Sequence, residues 1–168
     1  ICPIDSTVCD LSNKGITSIA SGTFVWYTNL QTLYLNNNQI TSIDSWDFNW
    51  LNNLQFLGLY WNQISTIENG NFNWITNLST LDLGENLIAS IENEDFISLP
   101  TLQGLYLNGN EITTINNGIF DSLISLSSLS LAQNQITSIE NGVFDSLANL
   151  QYLGLYWNQI STISNGIF

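Results

Sequence analysis

The sequence has no histidine and no methionine, one basic residue and only two cysteines. Without histidine there is no His-based triad, no imidazole proton shuttle and no imidazole metal site. Lys14 stands alone against fourteen acids, for a formal net charge of -13. That balance repels phosphate backbones and anionic headgroups, so no nucleic acid and no anionic membrane is expected as a partner. Charged residues make up 9% of the chain, against roughly 25% in ordinary soluble domains. The solvated surface must therefore be built from Asn, Ser, Thr and Gln. No apolar run approaches the roughly 20 residues that span a bilayer, so no membrane insertion is expected. There is no GxGxxG after a strand and no phosphate loop. The carboxylate pairs Asp44 with Asp47 and Glu94 with Asp95 fall on turns and read as solvated surface acids. No cofactor, no metal and no enzymatic activity are expected. No leader peptide is visible, and a chain beginning at Ile1 suits a processed form or an excised fragment.

What the chain has is a repeat. Apolar residues make up 44%. Written from Leu30 in lines of 24, the lines begin at Leu30, Leu54, Leu78, Leu102, Leu126 and Leu150. Each has Leu at positions one, four and six, as in Leu30, Leu33 and Leu35. Each has Asn at position nine: Asn38, Asn62, Asn86, Asn110, Asn134 and Asn158. Ile follows at eleven and, in every line, at fourteen, with Phe at nineteen from Phe48 to Phe168. Five lines are complete and the sixth stops at Phe168. A degenerate line precedes them, with Leu11, Ile16, Ile19 and Phe24 in register.

The LxL segment alternates apolar and polar, which predicts a short strand with one face inward. Strands of successive lines should stack in parallel about 4.8 Å apart. The position-nine Asn turns inward, where its amide satisfies backbone groups that recur at every bend. The Phe column forms a second buried stack. Asn-Gly pairs such as Asn69-Gly70 and Asn141-Gly142 mark turns on the far side. No segment has a long helical period, so short 3₁₀ turns and loops are expected there.

This pattern resembles the LxxLxLxxN signature of extracellular leucine-rich repeats of the 24-residue class. It is most similar to the ectodomain repeats of variable lymphocyte receptors and Toll-like receptors. The resemblance implies an α/β-type solenoid with a curved parallel sheet on its concave face. Residues 1–29 resemble a cysteine-rich N-terminal cap with a degenerate first repeat. Residues 30–168 form the repeats, and no C-terminal cap follows. Such caps usually carry four cysteines, and only Cys2 and Cys9 are present here. The resemblance implies a Cys2–Cys9 disulfide in an exported protein; two free buried thiols are the alternative. It also implies an extracellular recognition module that binds a protein or carbohydrate on the concave face.

The period of two puts positions three, five and seven on the face opposite the leucines, with position eight at its rim. Aromatic residues gather there: Tyr34, Phe56, Tyr60, Trp61, Tyr106, Tyr152, Tyr156 and Trp157. Asp82 and Glu85 lie between them. Tyr and Trp offer large contact area with few torsions to freeze, and they suit sugar faces; the competing expectation is packing among themselves across strands. Gly58 and Gly154 fall mid-strand, where a missing side chain would leave a slot beside the rings. Position fifteen carries Asp44, Glu68, Glu92, Asn116, Glu140 and Ser164, a row best read as a solvated edge, though Ca²⁺ would suit its oxygens. Trp26, Trp46, Trp50 and Trp74 are expected in core and rim packing. Asn77-Leu78-Ser79 is the one glycosylation sequon. The rival reading is structural: near-identical repeats with open ends at Ile1 and Phe168 suit head-to-tail self-association into a fibre.

Overall fold

A computed structural model describes residues 2–163 and 165–167. Seven three-residue strands form one parallel sheet: β1 (Val8–Asp10), β2 (Thr32–Tyr34), β3 (Phe56–Gly58), β4 (Thr80–Asp82), β5 (Gly104–Tyr106), β7 (Ser128–Ser130) and β9 (Tyr152–Gly154). Two further strands, β6 (Thr114–Ile115) and β8 (Ser138–Ile139), pair with each other in a second parallel sheet. The large sheet has one register throughout. Cys9 lies beside Leu33, Leu33 beside Leu57, and so on to Leu153, one repeat per strand. The chain is therefore a solenoid, and the curved sheet supplies its concave face.

The core is the repeat read inward. Leu at positions one, four and six, Ile at eleven and Phe at nineteen are almost wholly buried in the central turns, as in Leu78, Leu81, Leu83, Ile88 and Phe96. The Phe rings stack face to face between turns: Phe72 lies on Phe96 at 6.3 Å and Phe120 on Phe144 at 6.2 Å. Each repeat finds its apolar contacts only in its neighbours.

The Asn column makes the same bonds in each turn. Asn86 Oδ1 accepts from the Ile64 amide at 3.0 Å, and its Nδ2 donates to the carbonyls of Leu59 and Leu83, both at 3.0 Å. Asn62, Asn110 and Asn134 repeat this one register apart. Asn38 and Asn158 close the series. One side chain thus ties three backbone groups of two turns that point inward at the bend and have no strand partner.

Two expectations need correcting, and a third holds. The α part of the α/β label does not apply, because no helix occurs among the described residues. The expected short 3₁₀ turns are present as single bonds, such as Thr23 to Ala20, Val25 to Gly22 and Tyr27 to Phe24. They fall on alternate residues, so no two consecutive bonds build a helix. Asp47 and Asp95 are not solvated surface acids; they are buried at 2 and 5% exposure. With Asn71 they hold position eighteen and cap the turn before the Phe. Each accepts the amide of the residue three before it, at 2.7 or 2.8 Å.

At the N-terminus Cys2 and Cys9 sit at disulfide distance, Cα–Cα 5.5 Å. Cys9 takes the buried strand position that Leu33 holds in the next turn. Tyr27 donates its hydroxyl hydrogen to the Cys2 carbonyl at 3.0 Å. Ile1, Ser164 and Phe168 lie outside the described residues.

Candidate functional site

Position eight has a backbone conformation that the sequence pattern did not lead us to expect. Asn13, Asn37, Trp61, Glu85, Gly109, Gln133 and Trp157 all have φ between 51 and 67°. This left-handed residue lies three residues past the strand and, from Asn37 onward, swings the next residue, the ladder Asn, into the core. Gly and Asn tolerate that region; a bulky side chain does so at a cost. The sequence signal was the recurrence of Asn13, Asn37 and Gly109 in one column. Side chains at position eight stand out from the rim of the concave face: Trp61 is 64% exposed and Trp157 74%.

Each rim tryptophan meets a tyrosine edge to face. Tyr60 and Trp61 have ring centroids 6.3 Å apart, and Tyr156 and Trp157 5.6 Å. Tyr60 is held from the backbone side, since its amide donates to Asn36 Oδ1 at 3.0 Å. Tyr34 and Phe56 pack on each other across β2 and β3 at 5.1 Å. For that pair, contact across the sheet is the main fact. Tyr106 is half-buried and Tyr152 exposed. The structure therefore brings the predicted residues to one face but into separate groups: Tyr34, Phe56, Tyr60 and Trp61 toward β2 and β3, Tyr106 on β5, and Tyr152, Tyr156 and Trp157 at β9.

The expected slots at Gly58 and Gly154 are filled. A Cβ on Gly58 would meet Asn36 Oδ1 at 2.7 Å and the Phe56 ring at 3.1 Å. One on Gly154 would meet the Tyr152 hydroxyl at 3.0 Å. Glycine here lets neighbouring side chains lie flat on the sheet. Gly109 does the same for Glu85, whose carboxylate lies across it.

Asp82 and Glu85 form the acidic centre of the face. Burial pushes the Asp82 carboxyl pKa up, opposed by a hydrogen bond from the Gly84 amide at 3.0 Å. Burial also raises the Tyr60 hydroxyl, and the charges of Glu85 and Asp82 add to that. No lysine or arginine answers them. Beside Trp61 a shallow depression of about 350 Å³ is lined by Asn13, Asn37, Asn38 and Trp61. Asn13 was not among the anticipated residues. Along position fifteen the acids do not converge. Among the described residues no three acidic or sulfur side chains are placed to hold a metal ion. Glu140 instead accepts from the Asn117 amide at 2.8 Å.

Trp26, Trp46, Trp50 and Trp74 do not join the core. They are 70, 54, 54 and 40% exposed on the flank opposite the position-eight rim.

A family model described as "Leucine rich repeat" matches residues 7–64, 61–112 and 100–160. Among solved structures the chain is similar to the one titled "Crystal structure of TLR13-ssRNA13 complex", with TM-score 0.87 and 33% identity. The match covers 90% of this chain and 21% of that one, so this chain spans about a fifth of its length. No curated protein sequence matches.

Proposed function

The chain belongs to the leucine-rich-repeat family, and we propose that it is a secreted or cell-surface recognition module whose concave face contacts a macromolecular ligand. Leucine-rich-repeat folds of this kind are typical of binding modules. The contact is carried by Trp61 and Trp157, with Tyr60, Tyr106 and Tyr156. Tyr34, Phe56 and Tyr152 lie beside them, and Asp82 and Glu85 between. The observation behind this reading is the state of Trp61 and Trp157: both exposed, both left-handed. Holding a bulky residue there costs of order 1 kcal/mol or more, and neither ring recovers it by burial. Buried under a ligand, each would supply the area that makes tryptophan a dominant contact residue.

The uncompensated acids favour a protein ligand with basic groups. A glycan is the second reading, favoured by the amide-lined depression at Trp61. The neighbouring structure is a complex with single-stranded RNA. That runs against excluding nucleic acid, but one lysine against fourteen acids leaves this chain no cationic track for phosphates. Cys2 and Cys9 at disulfide distance support an oxidising, extracellular setting.

The test is a screen of the parent on a glycan array and a library of basic peptides, with a single-stranded RNA arm. Binders are then measured with Trp61→Ala/Trp157→Ala. Truncation should weaken binding at least about thirtyfold, since an interfacial aromatic commonly carries 2 kcal/mol or more. RNA should not bind near physiological salt. If the double variant binds every ligand as the parent does, the concave assignment fails. Long particles formed without ligand would instead support head-to-tail assembly.

A further inference from the structure

Trp26, Trp50 and Trp74 hold position twenty-one of three successive turns, and Trp46 stacks on Trp74 with centroids 5.3 Å apart and planes 33° off parallel. The fold does not need tryptophan there. Ser98, Ser122 and Ser146 hold the same position in the next three turns, whose leading Leu102 and Leu126 are fully buried. Four exposed indoles in successive turns, two of them in ring contact, form an apolar patch of the kind that marks a contact site. The Trp50 ring is also held. With its amide oriented to suit both partners, Asn49 donates to the Trp46 carbonyl at 2.9 Å and accepts from Trp50 Nε1–H at 3.0 Å. Trp50 itself is left-handed, with φ 74°.

Three residues after Trp50 and Trp74, the chain enters a second depression. It measures about 440 Å³ and is lined by Asn53, Gln55, Asn77, Ser79, Thr101 and Gln103. All six side chains are amides or hydroxyls, and none is charged. Some are fixed by a ladder between turns: Asn53 donates to the Thr28 carbonyl at 2.8 Å, Asn77 to Asn52 at 2.7 Å and Thr101 to Thr76 at 2.9 Å. Among the described residues the Gln55 and Gln103 side-chain amides make no hydrogen bond within the chain, so their donors and acceptors face solvent.

We propose that this flank is a second binding site, for a neutral polysaccharide chain. The C–H faces of its sugars lie on Trp50 and Trp74, and its hydroxyls bond the amides of Gln55 and Gln103. The groove decides the occupant. Indoles alone would suit any apolar partner, but covering a wall of amides and hydroxyls is unfavourable unless the partner returns a hydrogen bond to each. An apolar protein patch does not do so, whereas a polyhydroxylated chain does. A cationic ligand would find no counter-charge in the lining, and an acidic one would meet the field of a chain at -13. The proposal does not depend on the concave-face reading.

The test is affinity electrophoresis of the whole chain in native gels containing a β-1,3-glucan, hydroxyethylcellulose or a galactomannan, with polygalacturonate as the acidic control. The parent should be retarded by at least one neutral polymer and not by polygalacturonate. Trp50→Ser/Trp74→Ser, which installs the residue type of Ser98 at the same position, should weaken retardation at least about tenfold with an unchanged thermal midpoint. Gln55→Ala/Gln103→Ala should weaken it less, and Trp61→Ala/Trp157→Ala should leave it alone. No retardation by any neutral polymer overturns the proposal, as does equal retardation of the Trp50/Trp74 variant. Loss only in the Trp61/Trp157 variant moves the sugar to the concave face and equally overturns it. A sedimentation mass that falls in the Trp50/Trp74 variant, without retardation of the parent, assigns the patch to a second copy of the chain.

Discussion

Two columns run side by side along the solenoid, at positions eight and nine. At position nine every turn has Asn, and from Asn38 to Asn158 each donates to and accepts from the same backbone groups. At position eight every turn has the same left-handed backbone, yet the residues are Asn, Trp, Glu, Gly, Gln and Trp. The inward column satisfies groups that nothing else can reach, so one chemistry serves. The outward column meets only solvent or a partner, so its chemistry is free to vary. What varies while the backbone stays constant is where recognition can be written.

The sharpest way to break this contrast is to alter the inner column. Asn86→Leu keeps volume but strands the Ile64 amide, while the Leu59 and Leu83 carbonyls each lose one of two donors and keep Asn62 and Asn110. At about 1–3 kcal/mol for the orphaned amide, with the two lost carbonyl bonds adding to it, the loss should be roughly 3 kcal/mol by denaturant unfolding. Asn158→Leu should cost less, because Asn158 is only partly buried and water can replace it. Equal small losses would show that the ladder does not hold the turns.

Reducing Cys2–Cys9 should have the next largest effect. The sequence separation is 7, and the chain-entropy relation gives about 2 kcal/mol for so short a loop. Thiol titration of the unfolded, unreduced protein checks the bond itself; two titratable thiols would remove it.

A smaller effect belongs to Asp47. Asn71, at the same position one turn on, uses its Nδ2 to reach the Ile43 carbonyl at 2.9 Å. Asp47 has no such hydrogen when ionised, and its Oδ1 is buried without a partner. Burial accordingly raises its pKa, as it does for Asp82 and Asp95. A raised carboxyl binds its proton more tightly folded than unfolded. Stability should therefore increase as pH falls from neutral through the raised folded values toward the unfolded value near 3.8. Asp47→Asn should gain about 1 kcal/mol at neutral pH, and the gain should vanish once Asp47 is protonated. A pH-independent gain would point to a cause other than the carboxylate.

Much of this was legible in the sequence, and the reason is repetition. Leu33, Leu57 and Leu81 announce one strand three times over, and the Asn ladder follows from its period. The residues that were misread lack that support. Asp47 and Asp95 share position eighteen with Asn71, Ile119 and Val143, so no single type marks the position as buried. Trp50 and Trp74 are apolar and fall in the core's own period, but position twenty-one faces outward. Gly58 looked like a gap because sequence does not show that Asn36 and Phe56 lean over it.

If the outer column binds while the inner one folds, binding and stability should separate cleanly at position eight. Unfolding and ligand titration of Trp61→Ala/Trp157→Ala, measured side by side with the parent against a glycan or basic peptide that the parent retains, test this most directly. The predicted result is an unfolding free energy within about 1 kcal/mol of the parent, as for exposed positions generally, with binding weakened at least about thirtyfold. Binding equal to the parent's, or a stability loss well beyond about 1 kcal/mol, would contradict it.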